Sequence, residues 1–282
     1  MKKGANYGIA ALVFVITMIL MNGAAIALVV GTTVIGVFIG GNAGVDIVYD
    51  FLMDHLNLYS CLIYVIPGAV FLLWYYFAFI EPVGVSRFTD RQTRKLSPTC
   101  FIWMTVLVFA IQHVLSLLMG VIALLLPSAM ENYTELVETS GVTQYSMIWV
   151  IATLVLPALV EETIFRGLIL QYLRRGGAPF IVANLIQAVL FGIFHMNLVQ
   201  GIYTAVFGFL LGYMVWRYDS LLAPMAMHAL FNFFGTAVLD LESAILPEFI
   251  LGLIVLASVP LTAIVIVMIH FGIGDKKQRR SS

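Results

Sequence analysis

The chain has 282 residues, of which 62% are hydrophobic and only 10% charged, with a formal net charge of −1. Soluble domains average about 25% charged residues, so this composition excludes an ordinary soluble domain and points to a polytopic membrane protein. The short alternating segments of a membrane β-barrel do not occur in it, and an open strand in lipid would leave its backbone groups unsatisfied. The predicted fold is therefore all-α, a bundle of about eight transmembrane helices.

Eight apolar runs are long enough to cross a hydrocarbon core of about 30 Å. They cover roughly 7–30, 60–80, 99–127, 146–172, 179–196, 200–217, 222–239 and 249–271. The first follows Lys2 and Lys3 and lacks a clear cleavage site, so it reads as an uncleaved span and not a signal peptide. It continues into "GTTVIGVFIGGNAG", residues 31–44, which either extends the helix or forms a re-entrant piece. Cys61 begins the second span and Cys100 the third, at opposite membrane faces, so no internal disulfide is expected. Gln112 and His113 lie in the third span, where His113 reads as packing or lumen-lining. The loop 128–145 and the basic tail 272–282 are too short to fold alone. Three regions follow: 1–145 with spans 1–3, 146–240 with the candidate catalytic core, and 241–282 with the last span and tail.

Loop charges set the orientation. Lys2, Lys3, Arg87, Arg91, Arg94, Lys95, Arg174, Arg175, Arg217, Lys276, Lys277, Arg279 and Arg280 all fall on one side, 13 of the 14 basic residues. Asp46, Asp50, Asp54, Glu131, Glu135, Glu138, Asp240, Glu242 and Glu248 fall on the other. The positive-inside rule then predicts cytoplasmic termini in a cell membrane, most simply a bacterial plasma membrane. The remaining basic residue, Arg166, lies inside span 4.

Ionisable residues within spans are costly and point to function. In span 4, "LVEETIFRG" places Glu162 and Arg166 four apart, on one helix face and able to pair. A plain packing role explains that pair. Glu161 points about 100° away and has no partner in its own turn. Spans 4 and 5 are joined by the turn "RRGGAP". Glu161 and His195 lie 16 and 18 residues from Gly177, about 25 Å along their helices, so they match in depth. Taken alone, His195 also reads as a polar cap beside Asn197. In span 7, Pro224 opens the helix at a position where its missing N–H costs little. His228 and Asn232 follow, four apart on one face, and also read as interhelical packing glue. By helical rise His228 lies only about 10 Å from its span end, so span 7 must be shifted or the site must follow a tilted cavity. A carboxylate and a histidine can deprotonate water, and Asn and His donors can stabilise an oxyanion. Together these are the equipment for amide hydrolysis.

The motifs "EETIFRG" (161–167), "FGIFH" (191–195) and "HALFN" (228–232) occur in that order. Over about residues 150–235 the chain resembles the CPBP family, the CAAX proteases and bacteriocin-processing enzymes formerly called the ABI group, with type II CAAX prenyl endopeptidase-like membrane proteases. The resemblance implies that Glu161 and His195 activate water. It implies that His228 and Asn232 form the oxyanion site, and that Glu162 and Arg166 support the first motif. The family has been described both as metalloproteases and as metal-independent glutamate proteases. A Glu161, His195 and His228 set is able in principle to bind zinc or another divalent metal, but with no paired i,i+4 histidines the metal-free reading is favoured. Expected partners are membrane lipid and a peptide or membrane-protein substrate, with lipidated and bacteriocin-like substrates both open, and no nucleic acid. The rival readings are a proton-coupled transporter, a non-catalytic binding or immunity protein of the same fold and, more distantly, a bis-histidine haem protein.

Overall fold

The computed structural model describes residues 3–273 and Asp275. The expectations for Lys2, Lys276, Lys277, Arg279 and Arg280 lie outside the described residues. All regular structure among the described residues is helical. In chain order the helices are α1 (Lys3–Asp54), α2 (Leu56–Ile80), α3 (Val85–Thr93), α4 (Pro98–Leu125), α5 (Pro127–Thr139), α6 (Met147–Gly176), α7 (Phe180–Phe194), α8 (Leu198–Tyr218), α9 (Leu222–Ile245) and α10 (Glu248–His270). Seven of these are long and apolar enough to cross a membrane, namely all but α3, α5 and α7.

Three features differ from simple spans. First, α1 is bent back on itself. Gly40 and Gly41 leave helical geometry, and Gly41 adopts φ 60°, a conformation that glycine enters without a Cβ penalty. The arm before the turn and the arm after it then meet at Gly36 and Gly44, where a Cβ on either residue would strike the other's backbone. The open stretch 31–44 thus extends the helix to Ile39 and then reverses it. Second, α7 has 15 residues, about 22 Å of helix, shorter than the hydrocarbon core. Third, the two loops read as too short to fold alone or as plain connections contain helices. Within 128–145, α5 docks on α8 through a hydrogen bond between Tyr133 and Tyr203 (3.3 Å). Between spans 2 and 3, α3 presents Arg87 and Arg91 outward and buries Gln92.

Two apolar clusters form the core. One joins α1, α2, α6 and α7 through Phe71, Tyr75, Phe165, Leu168 and Phe191. The other joins α4, α8, α9 and α10 through Met104, Leu107, Phe207, Leu211, Met227 and Val265. Small residues bring helices together where the site needs them. Gly192 on α7 and Gly201 on α8 touch backbone to backbone at the His195 end of their hairpin. Without a hydrophobic drive between helices in lipid, such close contact is the main source of packing energy.

The basic helix α3 and the acidic helix α5 lie at opposite ends of α4, which gives a direct test of topology. In a background lacking Cys61 and Cys100, Glu135→Cys is expected to react with a membrane-impermeant maleimide on intact cells. Arg91→Cys is expected to react only after permeabilisation. Equal labelling at both positions would contradict this arrangement.

Candidate active site

The site lies between the two apolar clusters, in the middle of α6. Glu161, Glu162 and Arg166 are 4%, 0% and 0% exposed. The expected i,i+4 pair is formed: Arg166 Nη1 donates to Glu162 Oε1 at 2.9 Å. Arg166 Nη2 donates to Gly208 O on α8 at 3.0 Å, and its guanidinium stacks over the Phe191 ring, 4.3 Å from the centroid. Gly208 leaves room for this, because a Cβ there would lie 2.9 Å from both Arg166 Nη2 and the Phe191 ring. Gln187 Nε2 shares the Gly208 carbonyl at 3.0 Å and also donates to Asn184 Oδ1 at 2.7 Å. These two fully buried amides on α7 extend the polar network, and only their i,i+3 spacing in an apolar span hinted at it.

His228 joins the same carboxylate. Its Nδ1 lies 2.8 Å from Glu162 Oε1, and its Nε2 lies 3.8 Å from Glu161 Oε2. With Nδ1–H donated to Glu162, Nε2 is the ring atom turned toward Glu161. The depth mismatch expected for span 7 is resolved by a shift of that span. The link between α8 and α9 is buried, with Ser220 1% and Leu221 6% exposed. The Leu221 side chain reaches the Gly167 position, beyond Glu162 on α6 and about 1.4 turns from it. Leu221 N–H donates to Gln92 Oε1 of α3 at 2.5 Å. Asp219 turns the chain there with φ 52°, and Arg91 and Arg94 lie 4.0 and 3.7 Å from its carboxylate. Helix α9 therefore starts inside the bundle, and six residues later His228 meets Glu162.

His195 caps the end of α7. Its Nδ1 donates to Phe191 O at 2.8 Å, which leaves Nε2 as the acceptor of the neutral ring. The Phe191 ring lies between the two imidazoles, with centroids 4.9 Å from His195 and 5.9 Å from His228. The first position of the "FGIFH" motif thus carries a ring that touches Arg166, His195 and His228 at once.

Asn232 has a defined partner: Nδ2 donates to Thr153 O at 2.8 Å. Pro157 explains why that carbonyl is available. Proline has no N–H, so the carbonyl four residues back loses its helical donor. Residues Val150–Val155 and Thr163–Ile169 are also π-helical, on either side of the Glu161–Glu162 turn. Widened turns of this kind occur often at functional sites.

One expectation is corrected and one choice is decided. Glu161 is not without a partner: the Tyr64 hydroxyl of α2 donates to Glu161 Oε1 at 2.5 Å. Sequence spacing could not reveal it, because the two residues are 97 positions apart. Of the two readings of His113, packing and lumen-lining, packing holds. It is 3% exposed, and its Nε2 lies 3.0 Å from Glu242 Oε2, an acid assigned to a loop by its charge. This pair ties α4 to the end of α9, apart from Glu161 and Glu162.

Glu161 Oε2 and His228 Nε2 converge to 3.8 Å. Among the described residues, however, no group of three or more His, Cys, Asp or Glu side chains is arranged to hold a metal ion. Glu161, His195 and His228 as placed do not fit a zinc triad, so the chemistry derived below uses only the chain's own groups.

Residues 143–234, which contain all three motifs, match the family model described as type II CAAX prenyl endopeptidase Rce1-like. The resemblance carried by the motifs is thereby shown for this segment. No curated protein matches the chain, and no solved structure does.

The ion pair and the Thr153 carbonyl are separable by stability. Glu162→Gln leaves Arg166 charged and buried without its carboxylate, and is expected to cost about 3–5 kcal/mol. The readout is a lowered melting temperature in detergent. Asn232→Leu leaves Thr153 O unsatisfied, with an expected loss of about 1–3 kcal/mol. Adding Pro157→Ala restores a helical N–H and should recover part of that loss. Unchanged melting of Glu162→Gln would show that the pair does not hold the helices together.

Proposed function

We propose that the chain is an intramembrane endopeptidase that hydrolyses a peptide bond of a membrane-associated protein or peptide. The family match over residues 143–234 supports a peptidase at the level of the family. The observation that carries the reading is Glu161 Oε2. It is buried, has no hydrogen-bond partner, and faces His228 Nε2 at 3.8 Å. A buried carboxylate oxygen left without a donor is costly unless the site uses it.

In this reading a water donates to Glu161 Oε2 and to the free Nε2 of His195. Glu161 takes the water proton while the water oxygen bonds to the scissile carbonyl carbon. The carbonyl π pair moves onto its oxygen, where the second N–H of Asn232 and the His228 ring supply donors. Such preorganised donors act strongly where water is excluded. When the carbonyl re-forms, the C–N bond breaks, and the proton held by Glu161 passes to the leaving nitrogen. Glu162 and Arg166 hold His228 and the helix turn in place. We propose no metal in this cycle. Lipidated and bacteriocin-like peptides are the substrate classes to screen, and a cell membrane with both termini cytoplasmic is the proposed setting.

The test is cleavage of a fluorogenic peptide library by detergent-purified protein. Glu161→Gln keeps the size but cannot accept the proton, and should lower kcat by roughly 10²–10⁴-fold. His195→Ala should do much the same, and the double variant should be little worse than either, because residues acting as a unit are not additive. Retained cleavage by Glu161→Gln refutes the base assignment. Cleavage abolished by chelation and restored by zinc makes Glu161 a ligand instead. No cleavage by the wild type favours a binding or immunity protein.

A further inference from the structure

We propose that Tyr64 is a positioning residue for Glu161, fixing which carboxylate oxygen faces His228; this rests on the peptidase reading above. Four observations converge on it. Tyr64 Oη donates its single proton to Glu161 Oε1 at 2.5 Å. The other oxygen, Oε2, is buried, without a partner, and 3.8 Å from His228 Nε2. The neighbouring carboxylate is tied down through its Oε1, which accepts from both Arg166 and His228, while its own Oε2 is likewise buried without a partner. And the approach of α2 is built for this contact. Gly68, one turn after Tyr64, lies so close to Val160 that a Cβ would sit 3.2 Å from its methyl, and the Tyr75 ring packs on Gly167 at 3.1 Å in the same sense. Two small residues, one on each helix, therefore draw α2 against α6 on either side of the Glu161 level.

The physical need is clear from the carboxylate itself. The terminal torsion of a glutamate is broad and roughly two-fold, so Glu161 does not fix its own plane. A carboxylate turned by a quarter rotation would point neither oxygen at the His228 ring. Tyr64 holds one oxygen and so aims the other. The plainer alternative is a phenol in a span that has simply found a partner, since buried Tyr hydroxyls usually do. That alternative predicts a loss of stability and no change in chemistry, so the two separate by experiment.

The measurement is steady-state kinetics on the peptide cleaved by the wild type, with melting temperature alongside. Tyr64→Phe keeps the ring and removes only the donor. It is expected to lower kcat at least about tenfold, approaching the roughly 10²-fold cost of a misplaced reacting group, with KM unchanged and some loss of melting temperature because Glu161 Oε1 loses its donor. In a Glu161→Asp background the shorter side chain no longer reaches Tyr64, so Tyr64→Phe should add nothing. Tyr64→Leu, which also removes the ring, should lose stability as well as kcat. Full kcat in Tyr64→Phe overturns the proposal and leaves the peptidase reading standing, as does an equal loss in the Glu161→Asp background. A wild type that cleaves nothing takes both readings down together.

Discussion

A buried ion pair, Glu162 with Arg166, is the constraint on which the rest of the structure depends. Both side chains are fully buried in the middle of an apolar helix. Charges in such a place are tolerated only with good geometry and further hydrogen bonds. Each partner obtains those from a different helix: Arg166 from the Gly208 carbonyl of α8 and the Phe191 ring of α7, Glu162 from the His228 ring of α9. Three helices are therefore tied to one turn of α6 by electrostatics, in a medium where apolar contact alone gives little orientation. The arrangement explains two glycines as well. Gly208 must be small for the guanidinium to reach its carbonyl, and Gly167 for the start of α9 and the Tyr75 ring to close over the pair.

The irregular helix geometry follows from the same demand. A regular α6 would use up its own carbonyls and leave none for neighbours. Pro157 and the π-helical turns on either side of Glu161 and Glu162 release that ladder locally. The Thr153 carbonyl is taken by Asn232, so the helix that brings His228 is also bonded to α6 about two turns before the carboxylates. Backbone irregularity inside a membrane is acceptable only where the protein re-satisfies it, and here the residue that does so is part of the candidate site.

The parts of this site that sequence could reveal are those set by helical period. Glu162 and Arg166 are neighbours because they are four apart. Period says nothing about which way a helix is rotated toward its neighbour. Tyr64 to Glu161, Gln187 to Gly208 and His113 to Glu242 all cross between helices, and none of these partners was legible for that reason. For His228 the sequence left two alternatives, a shifted span or a tilted cavity, and could not choose between them. Counting from the end of span 7 assumed that the span ends at the membrane surface, whereas Gln92 and Arg91 of a small amphipathic helix hold the start of α9 inside the bundle. The reversal at Gly40 and Gly41 was visible only as a glycine-rich stretch, because a helix and a helical hairpin share the same hydropathy.

Placing the carboxylates between two apolar clusters has a consequence for reactivity. Phe191 belongs to the first cluster and Phe207 to the second, and the His228 ring packs edge-on against both, at 5.9 and 6.4 Å. Those rings keep solvent from the imidazole on two sides. Electrostatic interactions strengthen where water is excluded, so the oxygen of Glu161 left without a donor and the His228 ring beside it interact in surroundings unlike water. Its two neighbours of consequence are both held from behind, His228 by Glu162 and the carboxylate itself by Tyr64. The orientation of that oxygen is thus set by groups bonded behind it, Tyr64 through the other carboxylate oxygen and Glu162 through the far nitrogen of the His228 ring.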